Sequence, residues 1–242
     1  LHPRVRRQRQ MCIRDRYNTA SMLEMESGSN DPFAYMLTVI VLSFMKGENS
    51  VGQMVYSIVA QIVFGVLIGF LIALGAVWFM KHFTFNTSGF DAAFVLGVAV
   101  LAYALPTLVG GNGYLSAYIV GIVLGNQNIN NKKSLVHFFD GMTGLMQMLI
   151  FFLLGLLSFP SKILTVLLPS IFIALFITFV ARPLAVATVL APFKTKISQY
   201  LVVSWAGLRG AASIVFAIMA MVGGVTMEQD VFHIAFCVVL FS

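Results

Sequence analysis

Apolar stretches long enough to cross a bilayer follow one another along almost the whole 242-residue chain, separated only by short polar breaks. A spanning helix needs about 20 predominantly apolar residues. Such stretches are read at 22–45, 51–80, 89–109, 113–127, 140–159, 163–191 and 199–222, with an eighth starting at 230. In lipid every backbone N–H and C=O must be paired within the protein, which restricts spanning elements to helices and closed barrels. The expected fold class is therefore all-α and integral to a membrane. Charge content agrees, because only 10% of residues are charged and the mean hydropathy is +0.92, against about 25% charged in a soluble domain. The fourth stretch is short and glycine-rich. The second and sixth must tilt or kink, and Pro169 and Pro183 offer kinks in the sixth. Two cysteines argue against a disulfide framework.

The formal net charge of +6 is concentrated at the start of the chain. Residues 4–16 hold six arginines and one aspartate, leaving nine basic and eight acidic residues elsewhere. No basic excess remains to suggest a nucleic-acid partner. The run from Arg6 to Arg16 reads as one frame of a transposase adapter used to prepare sequencing libraries, and Leu1-His2 fits the flank upstream of it. Residues 1–16 are accordingly expected to be translated adapter; a basic arm lying on anionic lipid is the alternative. Residues 17–242 are then expected to be part of a transporter domain of seven or eight helices, with helices missing upstream and the C-terminal end cut.

The loops alternate sides, so lysines give an orientation. One side carries Lys81, Lys132, Lys133, Lys194 and Lys196, and the other Lys46 and Lys162. The lysine-rich side is expected to be cytoplasmic. Asp31 follows the start of the first stretch by about ten residues, which at about 1.5 Å per residue places it near mid-bilayer. Helix packing is legible too. Ser57, Gln61, Gly65, Gly69 and Ala73 recur every four residues, a stripe along which a second helix can approach closely. Gly121 and Gly125 repeat the pattern, and both stripes are read as packing surfaces.

A charge at the centre of a spanning helix costs at least about 2.5–3.5 kcal/mol on insertion scales and is rarely kept without a partner or a task. With the loop charges and the entrance residue Glu24 set aside, Glu26, Asp31, Arg182 and Arg209 remain. The run Glu26-Ser27-Gly28-Ser29-Asn30-Asp31-Pro32 is the densest polar segment inside an apolar helix. Ser27 and Asp31 are four apart and share one helix face, and Glu26 and Asn30 share the next. A carboxylate beside a hydroxyl offers oxygen ligands to a hard monovalent cation, and Pro32 loosens the preceding turn. The same residues also fit a polar loop in which Asp31 caps a helix starting at Pro32. Arg182 interrupts the sixth helix at a depth similar to Glu26, which is its expected counterion; snorkelling to the headgroups is the alternative. Arg209 stands between Gly207 and Gly210 inside the seventh helix. This is the pattern of a helix broken within the bilayer, which is tolerated where it lines a cavity, or of a tightly packed helix with a locally paired arginine.

These segments resemble the monovalent cation:proton antiporter superfamily, the sodium/hydrogen exchanger type. The resemblance rests on Glu26-Ser27-x-x-Asn30-Asp31, Ala181-Arg182-Pro183-Leu184 and Gly207-Leu208-Arg209-Gly210-Ala211, supported by residues 113–126 and 152–157. Ser27-Gly28-Ser29-Asn30-Asp31-Pro32 is most similar to the bacterial NhaP-type potassium/proton antiporters linked to cell-volume regulation. The resemblance covers residues 20–242. It implies an inverted-repeat fold with broken, crossing helices, a dimerisation domain, a mobile core domain, and a homodimer that spans the bacterial inner membrane several times. By this likeness Asp31 takes the cation or proton, Ser27 supplies a ligand oxygen and Asn30 organises the site. Glu26 and Arg182 form a structural ion pair, and Arg209 belongs to one of two broken helices, the other lying upstream of Asp31.

The implied activity is secondary antiport of potassium or sodium against protons by competition at Asp31, with no cofactor and no resident metal. A channel would need a continuous wetted pore, usually with rings of charge. A membrane-embedded enzyme would need a second catalytic group at the depth of Asp31. His82, His137 and His233 fall near loops, so enzymatic chemistry is not expected.

Overall fold

A computed structural model describes residues 19–47, 50–83, 89–129, 131–193, 197–206, 212–223 and 230–241. Among them the elements are helices: α1 (Thr19–Met45), α2 (Val51–His82), α3 (Phe90–Leu108), α4 (Gly113–Asn126), α5 (Lys132–Leu157), α6 (Pro160–Phe176), α7 (Arg182–Leu190), α8 (Ile197–Trp205), α9 (Ala212–Val222) and α10 (Val231–Phe241). A π-helical turn, Ile177–Ala181, joins α6 to α7 without a break. Four continuous helical segments, Gly52–His82, Phe90–Leu108, Lys132–Leu157 and Pro160–Phe193, are long and apolar enough to cross a membrane. Three to four residues of polar sequence in α1 lower its mean hydropathy relative to these four, although its 27 residues give it comparable length.

The helix boundaries follow local chemistry. Ser50 accepts from the Gln53 N–H while the Gln53 side chain accepts from the Ser50 N–H, a reciprocal cap that fixes the start of α2. Asn112 caps α4 by accepting from the Leu115 N–H. The turn before it contains Gly110 at φ 76°, a left-handed conformation that glycine adopts without a Cβ penalty. α5 starts at Lys132, eight residues before the expected apolar boundary at 140, because its polar first turns are helical as well. The Asp31-Pro32 pair lies inside α1, so the reading in which Asp31 caps a helix beginning at Pro32 does not hold.

The chain divides into two compact units, and the division falls inside α1 between Gly28 and Ser29. The larger unit comprises α1 from Ser29 onward and α2 to α5. Its core joins Ala73, Ala76, Val77 and Met80 of α2 to Ala92, Val98 and Ala102 of α3, Val120 and Leu124 of α4, and Leu135 of α5. The four-residue stripe on α2 is where α4 comes closest. A Cβ added at Gly69 would sit 2.8 Å from the Ser116 Cα, and one at Gly65 would sit 3.0 Å from the Asn112 carbonyl oxygen. The second stripe behaves differently. Nothing lies within 4 Å of a Cβ built at Gly121 or Gly125, so among the described residues these glycines are not packing positions. They lie on the outward side of α4, opposite Ser116, Val120 and Leu124, which are buried. At one end of this unit Lys81 donates to the Gln127 side chain at 2.9 Å, and Lys132 donates to the Gly125 carbonyl.

The other unit holds the start of α1 and α6 to α10. α10 packs along α6, with Phe232, His233, Cys237 and Val238 buried against an α6 face that includes Val166, Ser170 and Ala174. The Ser170 hydroxyl donates to the Val166 carbonyl, which satisfies it inside the apolar contact.

Candidate functional site

α1 carries two stripes of opposite character. Pro32, Met36 and Leu42 are buried, whereas Ser27, Asn30 and Asp31 are exposed with respect to the chain. Positions 27, 30 and 31 lie one helical turn apart or less, so the hydroxyl, the amide and the carboxylate are neighbours along one face. Among the described residues no lysine, arginine or histidine forms an ion pair with Asp31. A carboxylate so placed has room for a proton or a cation.

Pro32 carries no N–H, so the turn containing Asp31 lacks one helix bond. That turn is held from outside. The Asn112 side-chain amide donates to the Pro32 carbonyl at 2.8 Å. Its oxygen accepts from Leu115 at 3.1 Å, and its backbone N–H donates to the Gln61 carbonyl at 3.1 Å. Asn112 is only 2% exposed and joins α1, α2 and α4 at one point. Sequence reasoning passed over it, although an asparagine directly before a short helix, in Gly110-Gly111-Asn112-Gly113, is a recognisable cap. One turn beyond Asp31, Tyr35 lies 5.0 Å from Tyr114, which also meets Tyr103 edge-on at 5.1 Å. From Tyr35 a cavity of about 310 Å³ runs past Ser43, Ser57, Gln61 and Thr107, so its wall mixes hydroxyl and amide groups with aliphatic ones.

In the other unit, Glu26 and Arg182 meet. Nη1 of Arg182 is 2.9 Å from Oε1 of Glu26, and Nη2 donates to Oε2 at 3.2 Å. The same Nη2 donates to the Val203 carbonyl of α8 at 3.1 Å. The π-turn sets up this geometry. Pro183 cannot donate to the preceding turn, and the wider turn accommodates the missing bond immediately before Arg182. α8 is fastened a second time, by the Tyr200 hydroxyl donating to the Pro183 carbonyl at 2.9 Å. Arg209 falls in 207–211, outside the described residues; α8 ends before that segment and α9 begins after it.

The sequence matches the model of the sodium/hydrogen exchanger transmembrane family over residues 15–242. The chain belongs to the sodium/hydrogen exchanger family. Within its reach are the K(+)/H(+) antiporter NhaP2 of Shewanella sp. (strain ANA-3), 38% identical over 227 residues, and the K(+)/H(+) antiporter NhaP of Alkalimonas amylolytica, 34% identical over 231. These matches take in 91% and 95% of the chain but only 39% and 40% of the relatives, so the chain spans about two fifths of their length. The fold is similar to that of the sodium proton antiporter MjNhaP1 from Methanocaldococcus jannaschii. The TM-score is 0.78 at 25% identity, covering 94% of this chain and 63% of that one. This exchanger-family chain is a multi-pass membrane protein with the all-helical antiporter fold.

Proposed function

We propose that the protein to which this chain belongs exchanges a monovalent cation, potassium or sodium, for protons, with Asp31 as the group that carries either cargo. The observation that carries the reading is the polar face of α1. A carboxylate lies there one turn from a hydroxyl and an amide, with no basic partner among the described residues. Ser27 contributes a ligand oxygen, and Asn30 organises the turn. The site has room for one charge, so a partly dehydrated cation displaces the proton from Asp31. A bare carboxylate is the costly state in lipid, which couples movement of the site to occupancy. One cation then crosses for each proton in the opposite sense. The likeness to antiporters named for potassium and for sodium supports the class of cargo without choosing between them.

Glu26 and Arg182 support the site by pairing within the membrane. The lysine-rich ends, represented by Lys81 and Lys132, lie on the cytoplasmic side of a bacterial inner membrane. The family resemblance also favours a homodimer.

The test is cation-dependent proton flux in everted membrane vesicles carrying the full-length protein. Asp31→Asn should insert normally and lose exchange. Retained cation-dependent flux in that variant overturns the assignment, and current without proton coupling would identify a channel instead.

A further inference from the structure

We propose that Asn112 is a positioning residue for the Asp31 site, acting through the backbone of Pro32. The inference rests on the exchange reading of Asp31 and deepens it. Three hydrogen bonds converge on Asn112, and each has a distinct job. The bond from the Leu115 N–H starts α4, and the bond to the Gln61 carbonyl fixes α4 against α2. Only the third, from the side-chain amide to the Pro32 carbonyl, reaches α1. The cap and the α2 contact would be complete without it.

The third bond also lands where α1 is least able to hold its own shape. The residue before a proline is pushed away from helical backbone angles, and here that residue is Asp31. Asp31 nevertheless stays helical, in a turn that lacks the Pro32 N–H. An external donor on the Pro32 carbonyl constrains this turn, and so sets the direction in which the Asp31 carboxylate is presented. The donor is itself rigid. Asn112 is 2% exposed, and the close approach of Gly65 to its carbonyl leaves α4 no space to shift toward α2. The orientation of the cation carrier is thus referred to the α2–α4 contact, even though no atom of Asn112 is a ligand.

Two substitutions separate this role from plain stability. Asn112→Ser keeps a good helix cap but is too short to reach Pro32. Asn112→Asp keeps the cap and sets an acceptor against the Pro32 carbonyl. In full-length protein, Asn112→Ser should fold, and its apparent KM for the transported cation should rise about tenfold. That is the scale of one lost hydrogen bond passed on to binding. The midpoint of its pH profile should move as well, and Asn112→Asp should do more. Amide hydrogen exchange at residues 33–36 should quicken in both variants, a readout that needs no transport.

Unchanged KM and pH profile in a folded Asn112→Ser protein whose parent is active would overturn the inference. So would a fall in maximal rate and melting temperature with KM and pH profile intact. A parent protein without cation-coupled flux would remove the exchange reading itself, and this inference with it.

Discussion

Arg182 reaches across 156 sequence positions to clasp both carboxylate oxygens of Glu26, at 2.9 and 3.2 Å. A two-pronged guanidinium–carboxylate contact fixes orientation as well as charge. Arg182 has a second acceptor in the Val203 carbonyl, whereas the fork to Arg182 is the ion pair that holds Glu26.

Losing either partner should therefore lower stability, and losing the arginine should cost more. Fully buried pairs cost about 3–5 kcal/mol to break from one side. These side chains are 23% and 40% exposed with respect to the chain, so a smaller loss of about 1–3 kcal/mol is expected. Melting of Glu26→Gln, Arg182→Gln and the double variant in detergent checks this. The double variant should be less destabilised than the sum of the two, and strict additivity would show that the pair is not coupled.

The two glycine stripes should respond oppositely to a methyl group. At Gly69 a Cβ meets the Ser116 backbone at 2.8 and 2.9 Å, and backbone cannot swing aside. Gly69→Ala should destabilise by about 1–3 kcal/mol. Gly121→Ala adds its methyl to open space and removes a flexible residue from a helix, so it should be neutral or slightly stabilising. Thermal melts of the two variants side by side decide the matter; equal losses would mean that α4 packs differently.

Ser27→Ala should weaken the cation without ending exchange. A hydroxyl is one ligand among several, and a loss of about 1 kcal/mol corresponds to roughly a fivefold rise in apparent KM. Cation titrations of proton flux would show it, and a variant as inactive as Asp31→Asn would mean that Ser27 does more than contribute one oxygen.

Outside the spans, Asp230 sits between two cations-to-be. Its carboxylate is 2.7 Å from His233 Nδ1 and 3.4 Å from Lys162 Nζ, and it accepts from the His233 N–H. Burial pushes its pKa up, but the hydrogen bonds from the His233 side chain and backbone, helped by Lys162, outweigh it and hold the carboxyl below the usual 3.8. A depressed carboxylate stabilises the fold above its unfolded value, and that contribution is lost as pH falls through the folded one. Melting temperature should thus drop below about pH 4, and Asp230→Asn should show a shallower acid limb. An identical limb in the variant would locate the acid sensitivity elsewhere.

How much of this was legible before any coordinates depended on the physics involved. Helix existence was plain, because lipid leaves an apolar run of 20 residues few alternatives. The α2 stripe was plain as well, since a four-residue repeat of small side chains fixes a face. The α4 glycines carried the same signature on the other side of the helix, which periodicity cannot distinguish without knowing where the neighbours are. Glu26 and Arg182 could be paired in advance because each is a charge at matching depth. Asn112 could not, because its work is done by a side-chain amide on a distant carbonyl, and a carbonyl leaves no mark in the sequence. Arg209 lies outside the described residues, and its part is still a reading of the sequence.

The π-turn at Ile177–Ala181 has a consequence for the spacing of this helix. Each residue advances a helix by about 100°, so the extra residue in a wide turn acts as an angular offset for everything after it. Deleting one residue there, for example Thr178, would restore even winding and make the segment a better helix. It would also swing Arg182 by about 100° around the axis, away from Glu26. In this stretch the irregular geometry sets the bearing of the arginine, and a more regular helix would be aimed in the wrong direction.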